Sequence, residues 1–577
     1  MPITAPYNFV PLNKEVFYPE WSEQVSHDIP FEDGESGEIE ITITAKSPIF
    51  IRDHANPEQF CQHNGQYYIP STSVKGMVRN VLEIMSFSKL QLQDKTLSYR
   101  DLNNPSYEAK AMDANKIYMG WLKKDGAKWK IENLGKVTNG QTRIKYEEMK
   151  NYLEEEQVDN IKKPRATATD KYKAVGSQIK EIDKGYIIFT GSTGNKTREF
   201  LFPKTKAIAT YEFDEKDKLI ATFKEAYYIG TPNESKDWKS FLGKKFRDGQ
   251  KIPIFFQLDD DENIKHFGLS MLYKLPYEYS LQKILEKYQN CKKDLDLAQT
   301  MFGVADDSNA LKGRLYFSHC KIDGKAVKYK RVRLPLSTPR PTFYPNYIVQ
   351  CDENGKTSKY ITYDNSNAIL RGFKMYPPRK TMITSNPMCE KNTKICTSFN
   401  PLDSGTKFVG KIRFHNLKEA EIGALLSVLT FFGENTNGKF FHKIGMAKAY
   451  GFGTVSIDVA NIKTNSDASK QSYIDKFISC INNELKIDIL RHPRIEAFLK
   501  LSSYSFEDKE LLHLGTPKEF IKSKQNKEVL PEVVRNGYDK SKICKQPPNQ
   551  TNQKQPLQHQ QNQPKTAQGL ADTWGNR

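Results

Sequence analysis

Ile444-Gly445-Met446-Ala447-Lys448-Ala449-Tyr450-Gly451-Phe452-Gly453 has the spacing G-x-x-K-x-x-G-x-G. Glycine reaches φ > 0 and lets backbone N–H groups come close to a phosphate, and one lysine in such a loop adds positive charge. The same spacing also suits a plain helix-to-strand turn. Its surroundings sharpen the reading. Upstream, Phe408, Ile412 and Phe414 alternate with Lys411, Arg413 and His415, which predicts a strand with a basic outer row. Asn416 and Glu419 resemble a capping box, and Ile422, Leu425, Leu426, Leu429 and Phe432 follow at helical spacing. Val455, Ile457 and Val459 then predict a second strand. The order is strand, helix, glycine loop, strand.

A partner stretch lies far upstream, in Tyr68-Ile69-Pro70-Ser71-Thr72-Ser73-Val74-Lys75-Gly76-Met77-Val78-Arg79-Asn80. Proline and hydroxyl residues ahead of a periodic run mark a helix start, and Val74, Met77, Val78, Val81 and Met85 form its apolar stripe. Lys75 and Arg79 lie four apart and share a face. Free N–H groups, the Ser71 and Ser73 hydroxyls and two cations together suit an anion. Ordinary capping beside a solvated basic face is compatible with that reading. Ahead of this helix, Ile39, Ile41 and Ile43 alternate with polar residues as a half-buried strand, followed by a loop holding Arg52, Asp53 and His54.

At 577 residues the chain is too long for one ordinary core. Lys and Arg exceed Asp and Glu by 87 to 69, a net +18 that favours a polyanionic partner. No apolar run approaches a spanning helix, and Met1-Pro2-Ile3-Thr4 opens no signal-like pattern, so a cytoplasmic location and no membrane partner are expected. The eight scattered cysteines include no C-x-x-C pair, which suggests reduced thiols. Asp53, His54, Cys61 and His63 are the tightest mixed group, but their spacing fits no standard zinc pattern.

Residues 1–30 read as an arm that packs along a surface, and 31–90 as the first part of a core. Residues 91–301 are a lysine-rich insertion, where Trp121 and Trp129 among lysines suit base stacking or a solvated face. Within it, Gly191-Ser192-Thr193-Gly194-Asn195-Lys196 lies between two strand-like runs and so reads as a hairpin, not a P-loop. Residues 302–320 continue the core, with Asp306 and Asp307 in a polar loop. A second insertion spans 321–399 and includes Leu370-Arg371-Gly372-Phe373-Lys374-Met375-Tyr376, a basic-aromatic turn. Core completion occupies 400–463, a helical region 464–540, and a Gln/Asn/Pro-rich, disordered tail 541–577.

Assembled, these pieces predict an α+β protein built on a split ferredoxin-like (RRM-like) unit interrupted by large insertions. The Ile69–Arg79 stretch resembles the "IPGSSLKGALR" signature of the RAMP superfamily, the backbone proteins of type III CRISPR effectors. Phe302-Gly303 through Gly313-Arg314-Leu315-Tyr316-Phe317 resembles that family's FGS…GRL-F segment, and Gly445–Gly453 its C-terminal glycine-rich loop. The resemblance covers roughly residues 35–460 and is strongest to the large, inserted members. Two departures stand out. Ser71-Thr72 replaces the usual Gly-Ser, and Lys448 stands where arginine is common, which keeps the charge but loses a bidentate phosphate grip.

The resemblance implies a guide-RNA-binding subunit of a type III CRISPR ribonucleoprotein in antiviral defence. Its expected partners are CRISPR guide RNA, target RNA and other type III effector subunits. The expected RNA contacts are Ser71, Ser73, Lys75, Arg79, Lys411, Arg413, Gly445, Lys448, Gly451 and Gly453. In the family an aspartate of the loop after the first strand cuts target RNA with a divalent metal, and Asp53 occupies that loop. No permanently bound cofactor is expected, with Mg²⁺ recruited only for such cleavage. Two alternatives stand beside this reading. One is a metal-independent guide-processing endoribonuclease using His54, His63 or a lysine. The other is a non-catalytic scaffold whose 91–301 insertion binds a partner protein.

Overall fold

The computed structural model describes residues 2–92, 95–100, 107, 116–138, 140–164, 166–192, 196–229, 233–234, 251–305, 310–336, 341–352, 354–391, 396–433, 438–513, 517–541 and 543–544. Asp306, Asp307, the P-loop-like Thr193–Asn195 and nearly all of the tail lie outside them. The chain divides into two compact units, residues 1–93 with 282–546, and residues 94–281 with 547–577.

The first unit is built on β2 (Glu35–Ala45), which follows a short β1 (Asn8–Val10). Ile39, Ile41 and Ile43 are fully buried while their neighbours are not, the one-sided burial that strict alternation predicts. A hairpin of β3 (Gln62–His63) and β4 (Gln66–Ile69) leads into α1 (Ser71–Met85). After the second unit come α2 (Leu297–Phe302), β5 (Leu315–Phe317), β6 (Cys320–Asp323) and β7 (Phe373–Met375). Then follow β8 (Lys407–Leu417), α3 (Glu419–Thr430), β9 (His442–Lys443), β10 (Thr454–Lys463), α4 (Lys470–Leu485) and α5 (Pro493–Leu501). Eight strands form one sheet in the order β9-β10-β2-β8-β6-β4-β3, with β5 pairing β8 above β6. Every pairing in it is antiparallel. Thus β2 sits between two strands that lie more than 360 residues downstream.

Residues Ile422–Leu429 of α3 are buried without a break, because the helix lies under a further layer. A Cβ on Gly423 would collide with the Tyr473 carbonyl of α4, so the two helices approach at backbone distance. The predicted capping box is shifted by two residues. Lys418 is the N-cap and its N–H donates to Glu421, whereas Asn416 turns through φ 53° and accepts from the Phe31 N–H.

Three fully buried arginines tie distant segments together. Arg314, in the GRL motif, donates to the Thr300 and Asn416 carbonyls and pairs with the Glu421 carboxylate. Arg494 donates to the Ile84 carbonyl at 2.8 Å and the Glu83 carbonyl at 3.2 Å, capping the C-terminal end of α1, and to Pro11 at 2.6 Å. Arg371 holds the Ile348, Leu530 and Pro531 carbonyls. The 370–376 stretch is therefore a core arginine followed by a strand rather than an open turn. The arm likewise becomes structure, with β1 pairing β7 and Val10 fully buried.

The cysteine expectation is corrected. Cys351–Cys544 and Cys389–Cys396 form disulfides, because the fold brings their Cα atoms to 5.5 and 5.7 Å, a proximity no spacing rule reveals. Cys61, Cys291, Cys320 and Cys480 remain thiols.

The second unit holds a five-stranded antiparallel sheet in the order 209–214, 128–136, 118–125, 251–258, 264–268. Its four-stranded companion runs 143–145, 198–202, 185–188, 179–182. The Gly185–Ile188 and Arg198–Phe202 strands pair, as the hairpin reading predicts. Trp121 and Trp129 are 4% and 2% exposed, so neither offers a base-stacking face. The lysines around them are neutralised across strands, Lys123 by Glu132 and Lys130 by Glu212 and Asp125. Among the described residues no helix is long and apolar enough to cross a membrane.

Candidate nucleic-acid interface

Helix α1 begins at Ser71 behind Pro70, with no side-chain cap of its own. The Ser71 N–H instead donates to Nδ1 of His319 at 3.0 Å, and Ser73 N–H closes on the Pro70 carbonyl. One of the N–H groups expected to meet a phosphate is thus taken by an imidazole that sequence reading missed. Ser71, Ser73, Lys75 and Arg79 are half-buried along roughly the first two turns. Lys75 and Arg79 flank the Phe302 ring at 5.9 and 6.0 Å. Arg79 is also paired with Glu83 at 2.9 Å, while Lys75 has no carboxylate within 4.0 Å among the described residues. Beside them opens a cleft of about 710 Å³ lined by Arg79, Lys89, Lys292, Phe302, Gly303 and Leu311.

The glycine loop folds against the stretch that leaves β2. Met446 N–H donates to the Phe50 carbonyl and Gly453 N–H to the Pro48 carbonyl, both at 2.9 Å. Gly445 and Gly453 have φ of 82° and 70°, and a Cβ on either would strike a backbone carbonyl, Phe50 or Ile444. These glycines are required by the turn itself. Lys448 is half-buried, has no carboxylate within 4.0 Å among the described residues, and lies 6.0 Å from the Tyr376 ring. Burial pushes its ammonium below the usual lysine range. Neighbouring Lys443 donates to Thr454 Oγ1 at 2.9 Å, and burial together with the nearby Lys448 and Arg379 charges brings it down to about 7.

The two motifs share one sheet without touching. The loop adjoins β10, and β4 feeds the helix, four strand spacings away or roughly 19 Å. Between them, the outward row of β8 is exposed as predicted, but it is not bare. Glu38 of β2 bridges Lys411 at 2.5 Å and Arg413 at 2.8 Å, and those two hydrogen bonds hold its carboxyl down at about 2. Ser36 meets His415 at 3.0 Å. Tyr316, 44% exposed, stands opposite Arg413 in register, and Tyr68 lies against His319. These aromatics fall on strands too short to show a period.

Asp53 organises its own loop. Oδ1 accepts from the Ala55 and Asn56 N–H groups at 2.8 and 2.9 Å, and Oδ2 from Gln62 N–H at 3.4 Å. The Asn56 and Gln62 bonds lead in holding its carboxyl below the ordinary aspartate value. Among the described residues no group of three His, Cys, Asp or Glu side chains is arranged to hold a metal. His54 and His63 are exposed.

Comparison with known proteins finds the RAMP superfamily model matching residues 42–134, from within β2 through α1 and into the second unit. The matched residues include the helix-start motif. No curated protein matches. Among solved structures, the crystal structure of Thermofilum pendens Csc2 is similar, at 10% identity and a TM-score of 0.23, over 86% of this chain and 92% of that chain.

Proposed function

We propose, on the premise of the RAMP-superfamily segment at residues 42–134, that this protein is a guide-RNA-binding subunit of a CRISPR ribonucleoprotein, of type III, acting in antiviral defence. The observation that carries the reading is a pair of cations that have no carboxylate within 4.0 Å among the described residues, Lys75 near the start of α1 and Lys448 in the glycine loop. The helix that carries Lys75 follows β4 and the loop that carries Lys448 precedes β10, two strands of the same sheet. Such contacts position an RNA backbone and leave sequence to base pairing. The ferredoxin-like reading belongs to the same proposal. It is supported by the sheet order β10-β2-β8-β6, in which the chain runs strand, helix, strand, strand, helix, strand.

Single-stranded RNA affinity is expected to fall with salt, with a slope of roughly −0.7 per phosphate neutralised. The double variant Lys75→Gln, Lys448→Gln should reduce that slope by about 1.4, two phosphate contacts. An affinity indifferent to salt overturns the reading.

Cleavage of target RNA is proposed as an added activity of Asp53. Mg²⁺ is commonly held by one or two carboxylates plus phosphate oxygens and waters, so a lone aspartate fits it where it would not fit zinc. When bound, the ion supplies charge at a scissile phosphate. The chain's own part is to fix the Asp53 carboxylate in its ionised form by backbone N–H donors.

A further inference from the structure

Around Lys448 the fold gathers groups that no sequence motif connects. Pairing of β1 with β7 sets Phe9 opposite Lys374 and brings Tyr7 alongside. Lys374 Nζ lies 3.6 Å from the centroid of the Tyr7 ring, 5.3 Å from Tyr376 and 5.5 Å from Tyr347, whose hydroxyl it meets at 3.1 Å. Lys448 reaches the same Tyr376 ring from the glycine loop, and Lys443 stands behind it. Tyr7, Tyr376 and all three lysines are half-buried.

None of these lysines has a carboxylate within 4.0 Å among the described residues. Asp508, which pairs with the neighbouring Arg379, is committed elsewhere. It accepts from the Lys380 and Thr381 N–H groups and lies 4.0 Å from Arg379, whose guanidinium is itself held by the Leu511, Asp508 and Thr381 carbonyls. Elsewhere in this unit the basic rows have acids, Glu38 for Lys411 and Arg413, and Asp33 for Lys418. Half-buried ammonium groups that have no carboxylate partner among the described residues are costly to keep charged, and an anion from outside relieves that cost.

We propose that Lys374, Lys443 and Lys448, with the rings of Tyr7 and Tyr376, form a clamp for one unpaired nucleotide of the bound RNA, the ammonium groups taking its phosphate and Tyr376 its base. The proposal rests on the RNA-binding reading above and extends it to residues from the arm and the second insertion. Aromatic faces beside cations suit an unstacked base and its phosphate.

Burial alone brings Lys374 to about 7, and Lys443 also stands at about 7, so both are only partly charged near neutrality. The groups facing them do not titrate in the same range. Tyr7, Tyr347 and Tyr376 are raised by burial, and buried His442 is lowered to about 4. Phosphate binding favours the charged lysines, so the complex takes up protons. Affinity then falls as pH rises through their free-state values, whereas ordinary surface lysines stay charged up to about pH 10.

The test uses the full-length chain and a short single-stranded RNA carrying 2-aminopurine, titrated from about pH 6 to about pH 8.5 at fixed salt. The clamp predicts an affinity loss of roughly tenfold over that range, and quenching of the fluorophore on binding. Tyr376→Leu should abolish the quench. Lys374→Arg, which keeps the charge without titrating, should weaken the pH dependence and hold its affinity at the alkaline end, something a misfolded variant cannot do. A flat pH profile, or wild-type behaviour of both variants, overturns the clamp while leaving RNA binding intact. Failure of the wild-type chain to bind RNA at any pH overturns the underlying reading instead.

Discussion

Asp53 engages both carboxylate oxygens within its own loop, which separates two roles that an alanine would confuse. Asp53→Asn keeps an oxygen for the Ala55 and Asn56 N–H groups and removes the charge together with the long 3.4 Å bond from Gln62. If the carboxylate holds Mg²⁺, this variant should lose target-RNA cleavage by about a hundredfold, or roughly 2.7 kcal/mol, while RNA affinity stays within about twofold. Unchanged cleavage removes Asp53 from the chemistry. A second residue carries a pH signature. His442 is 3% exposed, stacks on Phe431 at 4.5 Å, and burial lowers its imidazole to about 4. Between its unfolded value near 6.5 and about 4, the unfolded chain binds the extra proton. Stability therefore falls as pH drops through that window, by up to about 3 kcal/mol. His442→Phe should flatten that part of the denaturation profile, measured by chemical unfolding at pH values across it.

At the scale of elements, the buried arginines outweigh the surface pairs. Removing Arg314 strands the Glu421 carboxylate and two carbonyls in the core, so Arg314→Leu should cost about 3–5 kcal/mol, and Arg494→Met a similar order. Urea midpoints of the two variants check this. The outward row of β8 behaves in the opposite sense. Glu38→Gln frees Lys411 and Arg413, so RNA affinity at low salt should rise by about two- to fivefold while the sheet persists. A fall in affinity would remove that row from the RNA path.

The elements legible from sequence are those whose period survives on its own. Alternation at Ile39, Ile41 and Ile43 and at 408–415 announced two long strands, and helical stripes announced α1 and α3. What escaped depends on register. Whether Lys130 is a free cation is decided by Glu212 on the next strand. Arg314 stood out only as part of a segment that resembles a family signature, and its place in the core was not legible, because residue type does not report burial. Lys374 and Tyr7 meet through three-residue strands, which are too short to carry a pattern. The glycine loop was read correctly as a φ > 0 turn, and its distance from the α1 start depended on strands invisible to either motif.

For the whole molecule, the consequential feature is that β2 finds both its neighbours at 407–417 and 454–463. A ribosome adding about 5–20 residues per second needs roughly 20–80 s to deliver them. Throughout that interval the emerging isoleucine-rich segment has nowhere to dock, while residues 94–281 already form a contiguous unit. Nascent chains stalled near residue 400 should therefore resist protease in the paired strands 118–136 and 251–268 and be cut within 35–45, and protection of both would refute this order. Synthesis of this protein thus imposes a waiting period on its first strand, and host chaperones that shield exposed β-edges should govern its yield more strongly than its final thermal stability does.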